Sequence, residues 1–565
     1  MIAASPSDRP VPFIAAVPLL WAFRLLAGEP FVDHGGPELA VAGPVTAPIQ
    51  HEKYFRMERE LFGYDPRYVP APVSFDAENR PWMALGTELI TLTDEGRWIA
   101  FDFDAAIKKE YDGIEGSAFR NGPFISFDRE GDAYMLARVS HLRRQDIFRE
   151  TPARRIDAFG LAHSRDRLRT WTFYETVSPA VHGTPFQRKL YTGAQRLERL
   201  EGHNQIVGPP PMVEGRGWEL SLFVAEKRQD GRLTPPETIL LARADPPIAG
   251  KLRNWITPTH SGAGNVSATY GGRTHVVWLS IQPLERHREE AEALSAEMDG
   301  EYVPYALRYE GSLDALAPSY IRSYDRGTGE LSDPVLLGFS RRNNHDRPVI
   351  SVDSKGFLHV VIGAHHDNFQ YTRSLAPNSS TEGWTGPRMF GTPRPLEGGG
   401  SYTYTALLCD YDDNLHLVSR WAGTDDYRFQ LVYLRKEAGR DWEPHRVLVS
   451  PFRVDYAAWR QKISIDRLGR LFVSYAYYPD LMTPGERRAY ARRWPQDATE
   501  NPDAPGGYDL VLRDRGGAML MSDDGGDSWR LAVTADFVEG LEQAARRRAE
   551  EQIEDGVPVL KHQAD

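Results

Sequence analysis

Apolar residues in this chain recur in short alternating runs, not at helical spacing. "PVISVD" (Pro348–Asp353) and "FLHVVIG" (Phe357–Gly363) are rich in β-branched residues, and "SKG" between them is a tight-turn signal. The pattern predicts an antiparallel hairpin. The same plan returns in Ala71–Gly86, Gly122–Arg138, Pro209–Glu226, Gly264–Ser280, Tyr404–Trp421 and Arg460–Tyr477. Each has apolar alternation, an Asp or its equivalent, a Gly or Asn turn, and apolar alternation again.

A lone hairpin leaves an apolar face bare, so such units must stack. Hairpins completed to four strands close best into a ring. The expected fold is therefore all-β, a seven-bladed β-propeller. A solenoid and a two-domain β-sandwich fit the irregular spacing less well. Helical patterns at Leu284–Gly300 and Thr483–Trp494 read as small insertions, and Phe537–Gln552 reads as a C-terminal helix. The expected division is an N-terminal segment 1–50 (signal-like, or closing the last blade), a propeller over 51–535, and a helical tail 536–565. "SDDGGDSW" (Ser522–Trp529) fits the Asp-box turn Ser-x-Asp-x-Gly-x-x-Trp; "SRDRLRTW" (Ser164–Trp171) follows it with Leu168 in the glycine place. That turn shapes a fold and implies no reaction.

Composition narrows the function. Aromatics make up 11%, with 49 Gly and 41 Pro, as a turn-rich β protein with ample core requires. The net charge of −12 argues against nucleic acid as a partner, so an anionic ligand would need a local basic cleft. Cys409 is the single cysteine, which excludes an intrachain disulfide and a Cys-based zinc site. Phe13–Gly28 is too short, and too interrupted by Arg24, to span a membrane. It is also a poor secretion signal, because Asp8 precedes it. Export to the periplasm or beyond is slightly favoured over a buried N-terminal segment. A monomer is expected.

Loops entering the inner strands of a propeller converge on one end, and several here carry chemistry. They supply His203 and Asn204, His260, Arg342, Asn344, His345 and Arg347, Tyr402 and Tyr404, and Tyr456 and Trp459. Chain leaving the second strands adds His365, His366 and Arg420. Because antiparallel strands return to one edge, His345 and His365 are expected to meet there. Period-two alternation puts Tyr402 and Tyr404 on one side. His275, His359 and His416 lie inside second strands and read as structural. Asp346 and Asp367 leave room for a structural divalent ion such as Ca or Zn, but carboxylate ligands beside the histidines are sparse, and no cofactor is required for chemistry.

"NNHDRPVISVDSKGFLHVVIGAHHDNFQYTRS" (343–374) and "SYTYTALLCDYDDNLHLVSRW" (401–421) together resemble the BNR-4-type propellers that include ulvan lyases and related uronate-cleaving polysaccharide lyases. The resemblance implies β-elimination beside a uronic acid in an anionic glycan, with rhamnose-rich, sulfated glycans of the ulvan type among the candidates. It implies His345 as base and Tyr404 as acid, or the reverse, with Arg420 neutralising the carboxylate. His365 or His366 would support substrate binding. Two other classes stay open: a propeller glycoside hydrolase of sialidase or rhamnosidase type, and a non-catalytic glycan-binding propeller.

Overall fold

The alternating runs form strands where the pattern puts them. The computed structural model describes residues 71–554, apart from 111–113, 119–123, 142–155, 176–186, 193–194, 201–217, 235–236, 245–254, 258–265, most of 282–315, 342–345, 392–400, 423–428, 450–457, most of 478–497, 511–515 and a few single positions. Among the described residues the protein is nearly all-β, in small antiparallel sheets with two α-helices, α1 (Phe103–Glu110) and α2 (Thr534–Glu554). Residues 1–70, including the signal-like stretch, lie outside the described residues, as does almost all of the predicted helix at Leu284–Gly300.

Successive sheets of four or five strands follow one another along the chain. Three of them hold the candidate site. The fifth contains Val349–Val352, Leu358–Ile362, Phe369–Arg373 and Arg388–Phe390. The sixth contains His365–Asp367, Ser401–Cys409, Leu415–Ala422, Phe429–Lys436 and Arg446–Val449. The seventh contains Ala458–Ile465, Leu471–Tyr477, Gly516–Ser522 and Arg530–Leu531. The third departs from the expected plan. Trp218–Ala225 was expected to be the second half of a hairpin, yet it runs parallel to Gln187–Thr192, whose hairpin with Gln195–Leu200 the apolar pattern did not announce. Those two strands, "QRKLYT" and "QRLERL", are too polar to show alternation.

Apolar clusters join neighbouring sheets face to face. Ile350, Val360 and Ile362 of the fifth share a cluster with Val277 and Leu337 of the fourth. Val349 and Phe369 share one with Leu417 and Val432 of the sixth. Val418 and Tyr433 share one with Val473 and Trp529 of the seventh. The series returns on itself: Val73, Met83 and Ile90 of the first sheet pack with Phe472, Met519 and Met521 of the seventh. Burial of each such side chain contributes about 1.5–3 kcal/mol. Helix α2 covers this last junction, with Phe537 buried in the same cluster and the carbonyls of Asp536 and Gly540 accepting from Arg470 and Asn79. Asn79 also accepts from the Arg467 N–H at 2.8 Å, tying the first turn to the last sheet.

One turn device repeats. Asp76, Asp128, Asp353, Asp410 and Asp466 each accept, on one carboxylate oxygen, the N–H groups two and four residues ahead. The other oxygen takes a side chain six residues ahead in four of them: Trp82, Tyr134, His359 and His416. The imidazoles pass the chain on, His359 to the Tyr371 hydroxyl and His416 to the Tyr433 hydroxyl, each at 2.7 Å. Turns Ser164–Trp171 and Ser522–Trp529 share one geometry. In each the Ser hydroxyl accepts the N–H four residues on, and the indole N–H returns to the carbonyl three residues before it. Leu168 stands at φ +68 where the second turn has Gly526.

His275 predicts a pH effect. It is fully buried, with Nδ1 at 2.6 Å from the Ser323 hydroxyl and Nε2 at 2.9 Å from Asn378 Oδ1. Burial pushes its imidazole down to about 4. The unfolded chain takes up this proton below about pH 6.5 and the folded chain does not, so stability falls as pH drops from about 6.5 to 4. The full displacement corresponds to about 3 kcal/mol. His359 and His445, both held low by burial, act in the same direction. Urea unfolding at stepped pH should show His275→Gln losing less stability on acidification than wild type; an equal loss would refute the assignment.

Candidate active site

The turn aspartates set a common register. Counting back six residues from Asp353, Asp410 and Asp466 gives Arg347, two residues ahead of the strand Val349–Val352, and Tyr404 and Arg460, within the strands Ser401–Cys409 and Ala458–Ile465. Arg347 is buried, and its backbone crosses so close to Gly363 that a Cβ there would sit 2.2 Å from the Arg347 carbonyl oxygen. Glycine at 363 is what allows the approach.

At Tyr404 the strand breaks its alternation. Thr403 pairs with Arg420 and Ala406 with Val418, so Tyr404 and Thr405 together face Ser419. This is a β-bulge. Tyr404 adopts φ +56, a left-handed conformation that costs a residue other than glycine roughly 1–2 kcal/mol. The bulge corrects the expectation that Tyr402 and Tyr404 share a side. Tyr402 pairs with Trp421 and packs on Phe369 at 4.4 Å, whereas Tyr404 turns to the face of Thr403 and Arg420. Tyr402 instead joins His445, its hydroxyl 2.6 Å from Nδ1, and burial lowers that imidazole below its ordinary range.

Arg420 has no exposed surface. Its guanidinium carbon lies 4.4 Å from the Tyr404 ring centre and 4.6 Å from that of Phe429. Such cation–π contacts are worth about 2 kcal/mol when desolvated and help hold a buried charge. A neighbouring sheet also reaches in: the Gln461 amide donates to the Tyr404 carbonyl. Ser419 Oγ donates to the Thr403 carbonyl at 2.9 Å.

His365 stands just beyond the second strand of its hairpin, and its expected meeting with His345 falls outside the described residues. The strand His365–Asp367 leaves the fifth sheet and pairs with the sixth, His365 opposite Thr403. The physical reason is the open edge of Ser401–Cys409, whose outward N–H and C=O groups this short strand takes up. One row across the sixth sheet therefore reads His365, Thr403, Arg420, Leu431. His366 lies in the same short strand. Trp459 lies opposite Ala476. Arg342, Asn344, His345, His203, Asn204, His260 and Tyr456 lie outside the described residues. Among the described residues no cluster of His, Cys, Asp and Glu has the makings of a metal site.

Reading the sequence missed Gln461 and Phe429, which touch Tyr404 and Arg420, and His445, which touches Tyr402. Gln461 had a signal. It is an amide on an inner strand where the pattern calls for an apolar side chain, and it is fully buried.

Residues 320–480 match the model of the BNR repeat-containing family member, a segment well under half of the chain. No curated protein matches it. Among solved structures it is similar to the polysaccharide lyase Uly1, 13% identical over 50% of this chain and 57% of that one, with a TM-score of 0.29. It is similar to an α-L-arabinanase of Penicillium chrysogenum, 10% identical over 64% and 77%, TM-score 0.28. It is also similar to an α-L-arabinofuranosidase of Fusarium graminearum, 9% identical over 73% and 89%, TM-score 0.31. At these scores the likenesses carry no argument about activity.

Proposed function

We propose that this chain is a seven-bladed, Asp-box-containing β-propeller acting on carbohydrate, and that it cleaves a uronate-containing polysaccharide by β-elimination. The observation that carries the reading is Tyr404, held in a strained bulge with its ring on a buried arginine, inside the segment that the family model matches. Strain of this kind in a non-glycine residue persists where the surroundings enforce it, and it clusters at functional sites.

In the proposed reaction a base removes the C5 proton of the uronate. The freed electron pair forms the C4–C5 double bond as the C4–O bond breaks, and an acid protonates the leaving oxygen. Tyr404 carries one of these protons and His345, just ahead of the fifth sheet, the other. Arg420 was expected to grip the carboxylate directly. Buried beneath Tyr404 and Phe429, it instead acts through its field, favouring negative charge that develops where Tyr404 stands. His365 and Arg347 are proposed to border the substrate. A sulfated, rhamnose-rich glucuronate glycan of the ulvan type is the first candidate.

The test is a panel of ulvan, rhamnose–glucuronate glycans, pectins and glycosaminoglycans, followed in the ultraviolet, where the unsaturated uronate product absorbs. Absorbance that rises with wild type and not with His345→Ala is the expected result. New reducing ends without absorbance would replace elimination by hydrolysis. Retention of glycan without turnover would leave a binding propeller.

A further inference from the structure

The bulge at Tyr404 is not alone. In the seventh sheet Trp459 pairs with Ala476 and Lys462 with Ser474, so Arg460 and Gln461 together face Tyr475. Counted back from Asp410 and Asp466, the two bulges occupy the same register on adjacent inner strands. Without the second bulge, alternation would send Gln461 to the opposite face of its strand. With it, the Gln461 amide meets the Tyr404 carbonyl. Gln461 is fully buried, and its Oε1 finds no hydrogen-bond partner among the described residues. Its polar group is thus committed, through the donating nitrogen, to the peptide that carries the left-handed turn.

We infer that Gln461 is a positioning residue for Tyr404: its amide holds the Tyr404 carbonyl in the bulged orientation and so keeps the phenol ring on Arg420. The inference rests on the reading of Tyr404 as a proton carrier given above. A positive φ in a tyrosine is unfavourable by itself and needs an outside restraint. The donor on the next sheet supplies one. It also couples Tyr404 to the junction between two sheets, where Tyr404 alone would relax toward ordinary extended backbone and swing its ring off the guanidinium.

Gln461→Met keeps the shape and removes the donor, and Gln461→Leu removes it with a branched apolar side chain. Both are expected to lower kcat by about a hundredfold, the scale of a small misplacement of a reacting group, with KM changed less than threefold. A loss confined to KM, or none, would overturn the inference. A second measurement needs no substrate. In a Tyr404→Gly background the positive φ is unstrained, so the urea midpoint should fall by less than half as much on adding Gln461→Met as it does in wild type. Equal falls in both backgrounds would also overturn it. If Gln461→Met does not fold, the Tyr404→Gly/Gln461→Met double variant should recover the fold; no recovery counts against the restraint. Absence of turnover in wild type across the glycan panel would sink the elimination reading and leave the urea cycle to decide the role of Gln461.

Discussion

Tyr404→Phe is expected to lower turnover about a hundred- to ten-thousandfold, the range that a positioned proton carrier contributes. The change removes one oxygen and little else. The ring keeps its place 4.4 Å from the Arg420 guanidinium, and the φ of +56 is as costly for Phe as for Tyr. The unfolding free energy should therefore stay within about 1.5 kcal/mol of wild type, the scale of a single hydrogen bond. Steady-state kinetics beside urea unfolding check both halves. Full activity in the variant would remove Tyr404 from the chemistry, whatever the substrate. Loss of activity together with loss of fold would mean that the hydroxyl is structural.

The largest stability effect is expected from Asp410→Ala, about 3 kcal/mol or more. Asp410 Oδ1 accepts the Asp412 and Asn414 N–H groups at 2.9 and 2.7 Å, and Oδ2 accepts from His416 Nε2 and Asn414 Nδ2, both at 2.9 Å. His416 is fully buried and bonded to the Tyr433 hydroxyl, which itself sits in the core shared by the sixth and seventh sheets. Alanine would strand the buried His416 donor, at about 1–3 kcal/mol, and remove the acceptor of three part-buried donors at a smaller cost each. Burial works to raise the Asp410 carboxyl, but His416 and Asn414 outweigh it, and the group stays below the ordinary carboxylate range. Its contribution is therefore complete above about pH 4 and is lost as pH falls through the depressed value. Chemical unfolding at neutral pH, repeated at descending pH, should show a large neutral deficit in the variant and a weaker acid dependence below about pH 4. A neutral deficit under about 0.5 kcal/mol would show that the turn does not depend on this carboxylate.

Most of the scaffold was readable from the chain. Strand residues alternate or run apolar because one or both faces of each sheet are buried, and the turn Asp announces itself because its carboxylate replaces the missing backbone partners of a tight loop. Helix α2 was readable from its periodicity. The hairpin Gln187–Leu200 was not, since its polar strands carry no period. Of the residues singled out in the sequence, Tyr404 and Arg420 do meet, 4.4 Å from ring to guanidinium carbon.

What the amino-acid order determined by itself was local: which stretches form strands and where they turn. Tertiary structure decided the rest. Two bulges set the faces that Tyr404 and Gln461 present, the open edge of the sixth sheet recruited His365–Asp367, and packing buried Arg420 against the Tyr404 and Phe429 rings. The reason is physical. Alternation is a property of one strand, whereas a bulge, an edge pairing and a buried charge are each stabilised by groups on another strand or sheet, far away in sequence.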